Sequence, residues 1–145
     1  MRPTWDEIFM EKARIMGKRS TCLRRQIGAV IVVNNREIAS GYNGSVAGTA
    51  HCEAVGCKRE QLNIPSGERQ EICRAIHAEQ NAVIQCALTG VIPTGGTIYT
   101  TCQPCVTCAK IIANVGIKRI VYEGDYPDEL ALEILKEAGI AIDKF

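Results

Sequence analysis

Thr97-Ile98-Tyr99-Thr100-Thr101-Cys102-Gln103-Pro104-Cys105-Val106-Thr107-Cys108 reads as a strand that turns at once into a helix. Residues 97–101 are β-branched or aromatic, which suits a pleated, buried surface. Pro104 fits the first turn of a helix running to about residue 115, where Gly116 closes it. Residues 118–122 then form another strand, 128–138 a helix closed by Gly139, and 140–143 a last strand. Strands joined through helices run parallel. Working upstream, residues 71–88 carry helical spacing, with Ile72, Ile76 and Val83 among the apolar positions. Residues 27–33 are a short β-branched run suited to a buried strand. Asn34-Asn35 is a turn signal, and residues 37–40 return antiparallel. Residues 4–20 read as an amphipathic helix with Trp5, Ile8, Phe9, Ala13 and Met16 on one face and a Thr4–Glu7 capping box. The order α-β-β-α-β-α-β-α-β predicts a single three-layer α/β domain over residues 1–145 with a mixed five-stranded sheet. Gly41-Tyr42-Asn43-Gly44 is predicted to leave the sheet as a loop. Residues 47–70 show no clean period and are predicted to be a surface insertion.

Composition narrows the class of function. Lys+Arg number 17 and Asp+Glu 16, so the net charge is +1, without the basic excess that marks a nucleic-acid or anionic-membrane binder. No apolar stretch approaches the roughly 20 residues of a membrane helix, and the N-terminus carries no secretory pattern. A cytoplasmic protein is therefore expected, where thiols stay reduced. Eight cysteines in 145 residues then point to metal ligands, catalytic groups or small core residues rather than disulfides.

Cys105 and Cys108 are spaced so that one helical turn puts both sulfurs on the same face, and His77 lies near another predicted helix N-terminus. One imidazole and two thiolates give three protein ligands and leave the fourth tetrahedral position for water, the pattern of a catalytic zinc site. Zinc lowers the pKa of such a water toward about 7. Glu79, two residues after His77, is placed to move that water's proton without being a ligand. Taken singly, a C-x-x-C pair can be structural and a histidine merely packed. A structural site leaves both Glu79 and the open position without a use. H-x-E followed by P-C-x-x-C is the known signature of zinc nucleobase deaminases.

His77-Ala78-Glu79-Gln80-Asn81-Ala82 and Pro104-Cys105-x-x-Cys108-Ala109-Lys110 resemble the cytidine/deoxycytidylate deaminase superfamily. Thr21-Cys22, Ile27-Gly28-Ala29-Val30-Ile31-Val32, Gly41-Tyr42-Asn43-Gly44-Ser45, His51-Cys52 and Gly56-Cys57 resemble its deoxycytidylate (dCMP) deaminase branch of bacterial and phage type. The resemblance spans nearly the whole chain and implies the α/β/α cytidine-deaminase-like fold. It implies zinc-dependent hydrolysis of dCMP to dUMP and ammonia, supplying the thymidylate precursor. Attack is at C4, with Glu79 protonating N3 and then the departing amine. Asn43 matches a loop asparagine that contacts the sugar, although alone it reads as a turn residue. Tyr126 falls near the expected site edge, where an ordinary turn tyrosine would fit as well. Arg24, Arg25 and Arg74 are candidates for a 5′-phosphate, and each also reads as a solvated surface arginine. The resemblance further implies a homo-hexamer activated by dCTP with Mg2+ and inhibited by dTTP, with Tyr42, Asn43 and Gly44 in effector binding.

Cys22 and Cys52 match positions that bind a second zinc in some phage-type relatives. Cys57 and Cys73 are inferred to replace two histidines that this chain lacks, closing a four-thiolate structural site, with His51 as an alternative to Cys52. The other reading is four thiols packed as small apolar groups. Cys86 and Cys102 are left as core or near-site thiols. Two competing functions carry different expectations. A tRNA adenosine deaminase shares the zinc signature but calls for a basic or aromatic-rich RNA surface, against which the +1 charge and 5% aromatics argue. A non-catalytic zinc-stabilised binding module would have no need of Glu79.

Overall fold

The computed structural model describes residues 1–145. Its centre is β1 (Gly28–Val33), whose residues are buried on both sides of the sheet. Val30 and Val32 point one way and Ala29 and Ile31 the other, so a continuous apolar run serves two cores at once. On the first face lies α1 (Trp5–Gly17), which buries Phe9, Met10 and Ala13 against Val30, Val32, Tyr99 and Val121. The expected Thr4–Glu7 capping box closes its N-terminus. The opposite face is covered by α4 (Ala78–Thr89), α5 (Val106–Asn114) and α6 (Glu129–Glu137). Ala78, Ala82, Cys108, Ile112, Ala131 and Leu135 meet Ile31, Ile98 and Ile120 there.

β2 (Arg36–Tyr42) pairs antiparallel with β1 through a tight turn in which Asn34 and Asn35 hold φ of 51° and 57°, a conformation that asparagine tolerates. β5 (Thr97–Cys102) pairs with the other edge of β1, and β6 (Arg119–Gly124) and β7 (Ala141–Lys144) extend the sheet in parallel. The order β2-β1-β5-β6-β7 is the mixed five-stranded sheet expected from the sequence, within the expected three layers.

Two readings need correction. The predicted helix over 71–88 begins only at Ala78: residues 70–72 form a 3-10 turn and Ala75–Ile76 is a short strand, β4. It pairs with β3 (Gly44–Ser45), so the backbone bonds that a helix would supply to this segment are made across to another part of the chain. For the same reason, Gly41-Tyr42-Asn43-Gly44 is not a free loop. Gly41 and Tyr42 end β2, and Gly44 opens β3. The insertion is irregular as expected, with two single-turn helices, α2 (Cys52–Val55) and α3 (Lys58–Gln61).

Arg119 ties the layers together. Its guanidinium donates to both Asp6 carboxylate oxygens at 2.8 Å, and the Tyr99 hydroxyl donates to Asp6 at 2.7 Å. The Arg119 hydrogen bond holds the Asp6 carboxyl below its usual value. A depressed folded-state pKa gives stability that is present above the unfolded value near 4 and lost as pH falls through the folded value. Both side chains are about a third exposed, so screening limits the pair to about 1 kcal/mol. Arg119→Met is expected to lower Tm by about 2–4 °C at pH 7. Melts taken at successively lower pH should show the difference closing as pH falls through the folded value.

Candidate active site

Two helix N-termini converge at the carboxyl ends of β5 and β6, the place where parallel α/β sheets bind ligands. His77 is the N-cap of α4, with extended backbone, and its N–H donates to Gln80 Oε1 at 2.8 Å. Cys105 is the N-cap of α5 and Cys108 lies in its first turn. Asp128 fixes this second terminus: one carboxylate oxygen accepts from Val106 N at 2.8 Å, while the other caps α6 through Ala131 N. Gln103 Nε2 donates to the Asp128 carbonyl, closing the turn between β5 and α5. Gly41 fixes the first terminus. A Cβ there would lie 2.4 Å from the carbonyl oxygen of Ala78 and 2.6 Å from the amide of Ala82, so only glycine lets β2 and α4 approach this closely. Gly41→Ala is expected to shift His77 and Glu79 together. It should cost about 1–3 kcal/mol of stability and about 10²-fold in kcat, measured by melts and steady-state rates.

The result is one imidazole facing two sulfurs. His77 Nδ1 lies 3.4 Å from Cys105 Sγ and 3.2 Å from Cys108 Sγ, and the three donors all fall within 4.8 Å of one another. Hydrogen bonding from Cys108, aided by His77, pulls the Cys105 thiol down to about 4. Cys108 is pushed up by that same bond, and His77 is pushed up chiefly by Cys105. The donors thus share protons that a divalent cation takes the place of on binding. An N,S,S set at this spacing fits zinc in a three-ligand site. Glu79 is buried on α4 beside them, and burial pushes its carboxyl up.

His77, Glu79 and Cys105 line a cleft of about 650 Å³, including the part open to solvent, together with Cys22, Arg24, Arg25, Asn43, Arg59 and Tyr126. Asn43 is buried. Its Oδ1 accepts from Ile27 N and its Nδ2 donates to the Arg25 carbonyl, both at 2.8 Å, leaving one acceptor site and one donor free. Arg25 stacks on the Tyr126 ring, 5.0 Å from its centroid, and donates to Cys102 Sγ at 3.3 Å. Tyr126 in turn accepts from Gln70 at 2.6 Å, which draws the insertion over the cleft.

The family model for the cytidine and deoxycytidylate deaminase zinc-binding region matches residues 3–124. This chain belongs to that family. "ComE operon protein 2" of Bacillus subtilis is 41% identical over 144 residues, covering 99% of this chain and 72% of the relative. The deoxycytidylate deaminase of Schizosaccharomyces pombe is 37% identical over 145 residues, and the chain spans only 45% of it. The crystal structure of the dCMP deaminase of cyanophage S-TIM5 in complex with dCMP and dUMP superposes with a TM-score of 0.84. It is 29% identical and covers 100% of this chain and 99% of that one.

Within a deaminase of this family, the remaining expected residues fall in three places. Tyr42 and Gly44 open onto a separate groove with Met16, Ile84 and Leu88, whereas Asn43 faces the cleft, so the three effector candidates do not share one cavity. Arg74 is exposed and turned away from the cleft, while Arg24 and Arg25 line it. Cys22, Cys57 and Cys73 lie near enough to Cys52 for their charges to raise its thiol, an effect smaller than that of burial. Yet His77, Cys105 and Cys108 alone form a set of three donors within 4.8 Å. His51 is exposed and its Nδ1 is 3.0 Å from Thr21 Oγ1, whereas Cys52 is buried, which favours Cys52 as the donor. Cys86 is in the core and Cys102 borders the cleft. Arg59, in the aperiodic insertion, was not foreseen; the only local signal is its place in the charged run Lys58-Arg59-Glu60.

Proposed function

We propose that this chain hydrolyses dCMP to dUMP and ammonia, with zinc held by His77, Cys105 and Cys108. The observation that carries the reading is the buried carboxyl of Glu79 next to that donor set, in one cleft with three arginines. A zinc ion bound there supplies Lewis acidity that makes water reactive at neutral pH. Glu79 takes the first proton that water loses and delivers it to ring N3 as oxygen adds at C4; it then takes the second proton from that oxygen and passes it to the exocyclic amine as the C4–N bond breaks, leaving the C4 carbonyl and ammonia. Raising of its carboxyl by burial suits both halves of that transfer. Asn43 has a donor and an acceptor left for the sugar, and Tyr126 with Arg25 walls the cleft. The S. pombe relative's name and the nucleotides held by the cyanophage enzyme support a deoxycytidylate substrate.

Ammonia release from dCMP, deoxycytidine, CMP and dCTP, measured side by side, tests this reading. Highest kcat/KM on dCMP is expected; preference for the unphosphorylated nucleoside overturns the dCMP assignment.

Around this reaction we place a four-thiolate structural zinc at Cys22, Cys52, Cys57 and Cys73, stapling the insertion to the segment ahead of His77. Metal analysis should then give two zincs per chain, falling to one in Cys57→Ser; one zinc in the unaltered protein removes the second site. Exposed Ile84, Leu88 and Val46 beside the Tyr42–Gly44 groove support homo-oligomerisation, expected as a hexamer. Regulation by dCTP with Mg2+ and by dTTP belongs to the same proposal, as does a cytoplasmic location, which eight free thiols favour. Rates unchanged by dCTP and dTTP would remove the regulatory part. No helix is long and apolar enough to cross a membrane.

A further inference from the structure

Helix α5 begins without help from its own N-cap. Cys105 holds the extended N-cap backbone, but its side chain makes no capping bond, and its sulfur faces His77 Nδ1 at 3.4 Å. An N-cap side chain ordinarily satisfies a first-turn amide, and a cysteine committed to a metal cannot. Val106 N, the first amide of α5, is satisfied instead by Asp128 Oδ2 at 2.8 Å, from 22 residues further along the chain. The other carboxylate oxygen, Oδ1, accepts from Ala131 N at 3.1 Å and caps α6. The backbone of Asp128 is committed as well. Its N–H donates to the Tyr126 carbonyl at 2.8 Å, and its carbonyl accepts from Gln103 Nε2 at 3.1 Å. Amides on two helices call for two acceptor oxygens on one short side chain. Aspartate has both, whereas asparagine has one oxygen and an NH2 that would face one of the N–H groups.

We propose that Asp128 is a positioning residue for the metal: it caps α5 in place of Cys105, so that the Cys105 sulfur stays free to serve as a zinc donor beside His77 and Cys108. The proposal rests on the reading of those three residues as the zinc site. Without Asp128, the first-turn amides of α5 are left to compete for the Cys105 sulfur, and a hydrogen bond from them draws charge off the thiolate. Groups that surround a metal donor orient it and tune its strength in this way. The Asp128 charge also complements the positive ends of both helices that it caps. The same residue joins the donor set to the substrate's side of the site, because Gln103 and Tyr126, both bonded to Asp128, line the cleft.

Zinc affinity, read by competition with a chromophoric chelator, is compared in the unaltered protein, Asp128→Asn and Asp128→Ser. Serine keeps one cap oxygen for α6 and gives up the reach to Val106, so a role confined to α6 survives in it. Affinity is expected to fall about 10- to 100-fold in both variants. In the Co2+-substituted proteins, the thiolate-to-cobalt charge-transfer band is expected to shift. Affinity and band both unchanged in Asp128→Ser overturn the proposal, even where its Tm falls. An unaltered protein that binds no zinc sinks the metal reading itself, whereas tight binding kept by the variants sinks only the role of Asp128. Should the variants fail to fold, hydrogen exchange at the Val106 amide of the unaltered zinc-loaded protein decides. Slow exchange is expected, and exchange as fast as that of an unbonded helix-terminal amide overturns the proposal.

Discussion

Glu79→Gln is expected to lower turnover of dCMP by about 10²- to 10⁴-fold while leaving the zinc content and the fold in place. The side chain is buried at the N-terminal turn of α4, next to but outside the His77–Cys105–Cys108 set. Glutamine has nearly the same shape and cannot carry a proton between water, N3 and the leaving amine. Because the donors of the metal are untouched, loss of rate should separate cleanly from loss of metal. Zinc analysis beside steady-state kinetics checks this. A variant that loses zinc along with activity would show that Glu79 is a ligand, and one that keeps full turnover would remove it from the reaction.

Cys108→Ala is expected to abolish both zinc retention and turnover, a second effect of several orders of magnitude. Cys108 is fully buried and its sulfur is 3.2 Å from His77 Nδ1, so its loss leaves two donors where three held the cation. Removing the thiol also takes away the hydrogen bond that does most to hold Cys105 as a thiolate. Dialysis against a chelator should produce the same inactive state in the unaltered protein, and added Zn2+ should restore only the latter. Recovery of Cys108→Ala on adding zinc would contradict the assignment.

Much of this architecture was legible from local signals. The Thr4–Glu7 box and the Asn34-Asn35 turn each follow from two residues whose conformational preferences are strong, and the structure keeps both, whereas the helix expected from Pro104 to about residue 115 is shorter, Val106–Asn114, with Pro104 ahead of its N-cap Cys105. The start of α4 was not legible, because Ile72 and Ile76 continue the helical spacing of Val83 across a break. What ends the helix at His77 is pairing of Ala75–Ile76 with Gly44–Ser45, about thirty residues upstream in the chain, and no local pattern records it. That His77, Cys105 and Cys108 come together was legible because the spacing of such a donor set is fixed by chemistry. Arg59 was not: it reaches the cleft from an aperiodic segment whose path depends on contacts such as Gln70 with Tyr126. Asp128 shows the intermediate case. The sequence places it at the start of a helix, but its cap on Ala131 and its bond to Val106 on the neighbouring helix are visible only in three dimensions.

A proton-carrying Glu79 beside a His-Cys-Cys metal site is proposed to deaminate a cytosine nucleotide. Its most direct test follows dUMP and ammonia together during incubation of the zinc-loaded protein with dCMP at neutral pH. Equimolar dUMP and ammonia, accumulating at a rate proportional to protein, is the predicted result. Unchanged dCMP after prolonged incubation with protein shown to carry its zinc would contradict it.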